Sequence, residues 1–189
     1  FHSLRDADRL DTVLGAGSVE NVVLVGAGLV GIEMAEALIE RGLKVTMIEM
    51  FDWIMPALLD EEMGRLAGKH LRVKGVNLAM GSPVTAFARD GDDRLTAVRT
   101  EAGEYPAELA LVAIGVRPNN ELAAEAGLAI AANGGIVINE YCQTSDPDIY
   151  AGGDCVASPY IHPVMGRPLF TPQGSTSNKQ GRAIANHIA

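Results

Sequence analysis

The stretch NVVLVGAGLVGIEMAEALIERGLKVTMIE, residues 21–49, constrains the fold more than any other part of the chain. An apolar strand, Val22–Val25, leads into a glycine turn, and a helix follows from about Leu29 to Arg41. Gly42 ends this helix, and a second apolar strand comes next. This order of strand, turn, helix and strand is typical of the first unit of a nucleotide-binding α/β sheet.

The rest of the first hundred residues extends this unit. A leading helix begins at Ser3, whose spacing to Asp6 fits a capping box, and later segments predict another helix and a third strand. Residues 83–108 change to short segments separated by Gly, Asp and Glu, which indicate an antiparallel meander. The apolar run LALVAIG, residues 109–115, predicts a buried parallel strand. We therefore predict an α/β fold: a Rossmann-like, doubly wound parallel sheet with a small antiparallel meander.

Pro118 marks the predicted boundary between a first domain, residues 1–118, and a second part, residues 119–189. In the second part we predict a short helix, two strands and a closing helix, with a Pro-rich irregular segment before the last of these. The second strand, PDIYAGGD, is expected to end at Gly-Gly-Asp, and the closing helix is GSTSNKQGRAIANHIA.

Charge and composition exclude several classes of function. The formal net charge is -9 and no basic cluster offsets it, so neither a nucleic acid nor an anionic membrane is an expected partner. No apolar run approaches the roughly 20 residues that a membrane span requires. Two cysteines without a C-x-x-C pair, and scattered histidines, predict no metal site and a reducing, cytoplasmic location.

The glycine turn carries the first candidate site. Its G-x-G-x-x-G spacing comprises Gly26, Ala27, Gly28, Leu29, Val30 and Gly31. The first glycine permits the tight turn, the second leaves room for a pyrophosphate, and the third lets the helix approach the strand. Glu49 ends the next strand, where it would accept hydrogen bonds from both hydroxyls of an adenosine ribose and repel a 2′-phosphate. The motif thus favours NAD(H) over NADP(H); the alternative is a glycine turn that binds no nucleotide.

Two further carboxylates are candidates. Glu33 lies two residues beyond Gly31 and either complements the helix dipole or reaches toward the nicotinamide end of the cofactor. Asp154 closes the segment TSDPDIYAGGD, where a strand-terminal carboxylate suits a polyol hydroxyl, although an Asp in that position is also a common helix cap.

Four motifs, VVLVGAGLVGIEMAEAL, LVAIGVRPN, TSDPDIYAGGDC and GSTSNKQGRAIANHIA, occur in an order that resembles the FAD-dependent pyridine nucleotide-disulfide oxidoreductases. The resemblance covers nearly the whole chain and is greatest to the single-cysteine branch of NADH oxidases, NADH peroxidases and coenzyme A-disulfide reductases. In that family the NAD domain is inserted into the FAD domain. The resemblance therefore implies that residues 119–189 are the returning half of a split FAD-binding domain and that the chain is part of a longer enzyme.

The resemblance also implies roles for individual residues. It places the NAD pyrophosphate at the glycine turn, the adenine-side ribose at Glu49 and the nicotinamide beside Glu33. Ile114 and Gly115 match the loop that closes over the dinucleotide, and Asp154 matches the Asp that holds the ribityl chain of FAD. No catalytic residue is assigned within this chain, because the redox-active cysteine of the family lies in its N-terminal FAD segment.

The intact enzyme is thus expected to use NADH and FAD, to reduce a disulfide, oxygen or peroxide, and to form a homodimer. Two rival interpretations remain. One is a stand-alone dinucleotide-binding or sensing module, against which the flavin-type segment TSDPDIYAGGD argues. The other is a ferredoxin- or rubredoxin-reductase-like electron-transfer enzyme, which would share every motif quoted above.

Overall fold

The computed structural model describes residues 3–157 and 172–189. The chain divides into two compact units, Phe1–Gly115 and Val116–Ala189. Of the sequence predictions, the Pro-rich segment at residues 158–172 lies almost entirely outside the described residues.

The first unit contains three helices and seven strands in its described residues. In chain order they are α1 (Leu4–Gly15), β1 (Asn21–Val25), α2 (Leu29–Glu40), β2 (Lys44–Ile48), α3 (Glu61–Val73), β3 (Asn77–Ala79), β4 (Val84–Arg89), β5 (Leu95–Thr100), β6 (Gly103–Pro106) and β7 (Leu109–Val112). The predicted helices and strands of this unit are confirmed, with bounds that shift by a few residues. Ser3 caps α1 with Asp6 as the reciprocal partner of a capping box, as the spacing indicated.

The main sheet is parallel, with the order β3-β2-β1-β7. Helix α2 connects β1 to β2, and α3 connects β2 to β3. The last strand, β7, pairs with β1 on the side opposite β2, which confirms the predicted return of LALVAIG to the main sheet. This reversal of strand order beside β1 creates a crevice at the carboxyl ends of the strands, where ligands bind in sheets of this kind.

Alternation along β1 separates two buried layers. Val22 and Leu24 point to one face, where they pack with residues of α2 such as Ala35 and Leu38. Val23 points to the other face, which the antiparallel sheet β4-β5-β6 covers through Val98. The meander therefore occupies the second face of the parallel sheet, and both faces are buried as a parallel sheet requires.

The second unit is smaller. It contains α4 (Glu121–Glu125), β8 (Ile136–Val137), β9 (Val156–Ala157) and α5 (Gly174–Ile188), with β8 and β9 parallel. Its core comprises Ala123, Ile136, Ile138, Cys142 and Val156. Helix α5 confirms the predicted closing helix.

The predicted strand PDIYAGGD is wrong. Residues 147–154, all of them described, contribute one isolated bridge, between Gln143 and Tyr150, and the strand β9 begins only after Asp154. Two local features explain the difference. Pro147 has no amide hydrogen to donate to a ladder, and Gly153 has a φ of +94°, which turns the chain out of the extended conformation.

Candidate functional site

The glycine turn lies at the carboxyl end of β1, between β2 and β7. Gly26 has a φ of +104°, and a Cβ there would lie 2.3 Å from the carbonyl oxygen of Ala113, directly after β7. A Cβ on Gly31 would lie 2.3 Å from the carbonyl oxygen of Gly26. These two glycines are required for packing, because any side chain would collide with rigid backbone.

Gly28 differs from both. It has an extended conformation, with φ -82° and ψ -173°, and apart from its own neighbours in the chain no described residue lies within 4 Å of the position of a Cβ. Neither strain nor crowding therefore calls for a glycine here. Gly28 is also the N-cap of α2, so the open space lies at the start of the helix, where the amides of Leu29, Val30 and Gly31 have no acceptor within the helix. The space and the donors suit a phosphate group.

Glu49 lies directly after β2 and is only 8% exposed. Its Oε2 accepts a hydrogen bond from the backbone N–H of Ala27 at 2.8 Å, and its Oε1 accepts one from the N–H of Phe51 at 3.1 Å. The carboxylate is thus bound to the glycine turn itself. Since each carboxylate oxygen has two acceptor positions, both retain capacity for a further donor such as a ribose hydroxyl.

The residues next to Glu49 in the sequence carry no positive charge. Met50 and Phe51 are 62% and 51% exposed, and Asp52 follows them as a second, exposed carboxylate. A phosphate group near this loop would meet negative charge and apolar surface, with no cation contributed by residues 49–52.

Glu33 is the fifth residue of α2 and is exposed. Because the helix dipole acts mainly within the first turn, the position of Glu33 argues against a role in complementing that dipole. Ile114 is 77% exposed and Gly115 has a φ of +112°, directly after the segment that contacts Gly26. Ile114 and Gly115 therefore follow the turn at the same edge of the sheet.

Asp154 belongs to the second unit, where it is exposed in a turn just before β9. Its Oδ1 lies 3.2 Å from the hydroxyl of Ser177 on α5. Gln180, one turn further along α5, accepts a hydrogen bond from the N–H of Gly153 at 2.7 Å. A Cβ on Gly152 would lie 3.3 Å from the Cβ of Gln180, so the two glycines let this turn pack closely against the helix.

Sequence reasoning missed the residues that hold the site in shape. Ala27 was considered only as a spacer between glycines, and Ser177 and Gln180 lay inside a quoted motif without an assigned role. A backbone donor such as Ala27 leaves no signal in a side-chain pattern. Ser177 and Gln180, the fourth and seventh residues of α5, could have been found only with the knowledge that α5 faces the Gly-Gly-Asp turn.

Neither cysteine has the surroundings of a reactive thiol. Cys142 is buried, and desolvation raises the pKa of its thiol. The Cys155 Sγ lies 3.5 Å from the carbonyl oxygen of Gly152 and packs beside the core of the second unit. Residues 3–157 and 172–189 include no group of three or more His, Cys, Asp or Glu side chains that could hold a metal ion, and none of their helices could span a bilayer.

The fold is a Rossmann-type α/β fold of the nucleotide-binding class, with the crevice of its parallel sheet at the glycine turn. Residues 1–176 match the family described as pyridine nucleotide-disulphide oxidoreductase, and the chain belongs to that family. The resemblance found in the sequence motifs is thereby confirmed.

Several known proteins are similar to this chain over most of its length. The chain is 39% identical over 171 residues to the NAD(P)H coenzyme A polysulfide/persulfide reductase of Pyrococcus horikoshii. This alignment covers 90% of the chain and 37% of the relative. It is 35% identical to an NADH oxidase of Enterococcus faecalis, covering 92% of the chain and 38% of the relative. The solved structure of an NAD-dependent persulfide reductase from A. fulgidus superposes with a TM-score of 0.91 at 42% identity, covering 99% of this chain and 34% of that one. The chain thus spans well under half the length of these relatives.

Proposed function

We propose that this chain is the NADH-binding portion of a flavin-dependent NADH oxidoreductase. The observation that carries the proposal is the open space at Gly28 in front of the first turn of α2, beside the nearly buried carboxylate of Glu49. In this proposal the pyrophosphate lies against Gly28 and the amides of Leu29, Val30 and Gly31. Glu49 accepts hydrogen bonds from the hydroxyls of the adenosine ribose.

The proposed preference for NADH over NADPH rests on the loop after β2. Glu49 and Asp52 carry negative charge, and the two residues between them, Met50 and Phe51, are apolar. A 2′-phosphate would lose hydration at Glu49 without gaining a cation from this loop. The names of the relatives include both NADH and NAD(P)H, so the charge pattern of this loop supports the preference more directly than the relatives do.

At the other end of the dinucleotide, we propose that Glu33 lies beside the nicotinamide and that Ile114 and Gly115 line the closing loop. Glu33 is exposed on α2, one turn beyond the phosphate-binding amides. Ile114 presents a largely exposed apolar side chain next to Gly26. This combination provides one polar and one apolar contact for the nicotinamide half.

The second unit, residues 116–189, is proposed to be half of an FAD-binding domain. Asp154 fits the ribityl chain of FAD, because one of its oxygens contacts Ser177 while the exposed carboxylate keeps acceptor capacity for hydroxyls. Asp154 would help to hold the flavin, and the flavin would supply the hydride-transfer chemistry between NADH and the acceptor. The chain's own residues bind and orient the two cofactors, and no catalytic residue is proposed within it.

The acceptor is proposed to be a disulfide, a persulfide or oxygen, following the names of the relatives. Two free cysteines fit a reducing, cytoplasmic compartment. We also propose that the whole enzyme is a homodimer, and this proposal is based on the family resemblance alone.

Calorimetric titration of the chain with NADH, NADPH and FAD tests the proposal. We expect NADH to bind more tightly than NADPH, and FAD to bind poorly because only part of its site is present. Absence of NADH binding to a folded chain would contradict the proposal. Equal affinity for NADH and NADPH would contradict only the proposed selectivity.

A further inference from the structure

We propose that Glu49 is also a positioning residue: its carboxylate holds the pyrophosphate-binding turn in shape, in addition to contacting the ribose. The inference rests on the proposed function and deepens it. It links the ribose-binding carboxylate to the pyrophosphate-binding turn, two parts of the dinucleotide site that the sequence motif does not connect.

The coupling follows from the hydrogen bonds of the turn. Ala27 lies between the first two glycines, is fully buried, and donates its N–H to Oε2 of Glu49 at 2.8 Å. The carbonyl of Ala27 accepts from the N–H of Met55 at 2.9 Å, and Gly26 donates to the carbonyl of Ile48 at 2.8 Å. Among these three hydrogen bonds of the turn, the bond to Glu49 is the one made by an ionisable side chain.

Loss of this acceptor would leave a buried amide unsatisfied. A buried N–H without a partner is unfavourable, so the peptide unit of Ala27 would rotate or admit water. Ala27 directly precedes Gly28, and rotation there would shift the open space and the first-turn amides that receive the pyrophosphate. The effect would be present even for a ligand that makes no contact with Glu49.

The other oxygen of Glu49 extends the same link to the next loop. Oε1 accepts from the N–H of Phe51 at 3.1 Å, while Phe51 accepts at its carbonyl from Gly81 at 2.9 Å. The carboxylate therefore joins the carboxyl ends of β1 and β2, and through Phe51 the segment after β3. Each oxygen receives one backbone donor in the ligand-free chain, and each keeps one acceptor position for the ribose.

The test separates the two roles by removing the ribose hydroxyls from the ligand. Affinities for NADH and for an NADH analogue with a 2′,3′-dideoxyadenosine half are measured by calorimetry with the wild-type chain, Glu49→Ala and Glu49→Gln. The dideoxy analogue offers Glu49 no hydroxyl. We expect Glu49→Ala to weaken binding of this analogue by on the order of tenfold, since an unsatisfied amide distorts the turn. Glu49→Gln keeps one acceptor oxygen, which can still accept from Ala27 at the expense of the bond from Phe51, and should retain more of the affinity for the analogue than Glu49→Ala does.

A spectroscopic measurement makes the test independent of ligand affinity. The amide proton of Ala27 in the ligand-free chain should move upfield in Glu49→Gln, where a neutral acceptor replaces a charged one. The matched control is Glu108→Gln, which removes a carboxylate that accepts from Asn21 at the opposite edge of the sheet. This control should leave the Ala27 signal and both affinities unchanged.

The outcomes are distinct. If Glu49→Ala lowers affinity for NADH but leaves affinity for the dideoxy analogue unchanged, the carboxylate acts only on the ribose and the inference is overturned. An unchanged Ala27 signal in Glu49→Gln overturns it as well, and this readout remains decisive if Glu49→Ala does not fold. If the folded wild-type chain binds no NADH, the proposed function fails instead, and the Ala27 signal alone decides the positioning role.

Discussion

A Cβ placed on Gly31 would lie 2.3 Å from the carbonyl oxygen of Gly26, whereas the same atom on Gly28 would meet nothing within 4 Å. The three glycines of one motif are therefore present for different physical reasons. Gly26 and Gly31 are required by the fold itself, because a side chain would collide with backbone. At Gly28 the fold does not exclude a side chain, and in the proposed function the open space there is occupied by the ligand.

Gly31→Ala should destabilise the chain. Helix α2 would have to move away from the turn to accommodate the methyl group, and overpacking of this kind costs about 1–3 kcal/mol. Chemical denaturation followed by circular dichroism measures the change. A stability equal to that of the wild type would contradict the close approach of Gly31 to Gly26.

Gly28→Val should instead leave the chain folded and abolish NADH binding. The backbone conformation of Gly28 is allowed for a β-branched residue, and we expect the free energy of unfolding to change by about 1 kcal/mol or less, mainly through the altered N-cap. The added side chain would occupy the space proposed for the pyrophosphate. Calorimetric titration with NADH, together with denaturation, gives both quantities; undiminished NADH affinity would exclude this position as the phosphate site.

Glu49→Ala should weaken NADH binding and lower the ratio of the affinity for NADH to the affinity for NADPH. The substitution removes the proposed partner of the ribose hydroxyls and also the charge that repels a 2′-phosphate. Titration of both nucleotides at low and at high salt measures the ratio and its electrostatic component. Asp52→Asn is a matched control, since it removes a nearby charge and leaves the ribose partner in place. We expect Asp52→Asn to lower the ratio of NADH affinity to NADPH affinity less than Glu49→Ala does.

Gly64→Ala and Gly68→Ala, both in α3, should have opposite effects. A Cβ on Gly64 would lie 2.3 Å from Cδ1 of Trp53 and 2.9 Å from the carbonyl oxygen of Ile54, whereas on Gly68 it would make an ordinary contact of 3.5 Å with Leu78. Gly68→Ala should raise the free energy of unfolding by about 0.5–1 kcal/mol through helix propensity. Gly64→Ala should lower it, because the indole ring would be displaced. Thermal unfolding of the two variants distinguishes them; equal shifts would show that helix propensity dominates at both positions.

Glu108 should make the stability of the first unit depend on pH. Hydrogen bonds from the backbone N–H of Asn21, and then of Glu20, hold the pKa of Glu108 below its ordinary value of 4.5. A carboxylate with a lowered folded-state pKa contributes stability above the unfolded-state pKa, and this contribution is lost as the pH falls through the folded-state value. The difference in stability between the wild type and Glu108→Gln should therefore be full near neutral pH and shrink in acid below about pH 4.5. Denaturation at a series of pH values measures it, with Glu101→Gln as a control for the loss of one exposed charge.

The order of strands and helices in the first unit could be predicted from the sequence because each element carries its own local signal. The apolar runs of β1 and β7, the glycine stops and the capping box at Ser3 act over a few residues, and a parallel sheet buried on both faces follows from them. The second unit was harder, because its strands have only two residues each and hydrophobic alternation needs a longer stretch to be recognised. The strand predicted at PDIYAGGD failed for a different reason: Pro147 cannot donate to a ladder, and the positive φ of Gly153 turns the chain out of the extended conformation.

The sequence by itself determined which residues form the glycine turn and that an acidic residue follows β2, because spacing along the chain is enough to place them at the carboxyl edge of one sheet. Only the tertiary structure decided what each of them does there. The close approach of Gly31 to Gly26, the open space at Gly28 and the hydrogen bond between Ala27 and Glu49 all depend on how separate parts of the chain are placed in space. Such contacts depend on separations between elements that are set to within a few tenths of an ångström, and no pattern of residue types encodes separations with that precision.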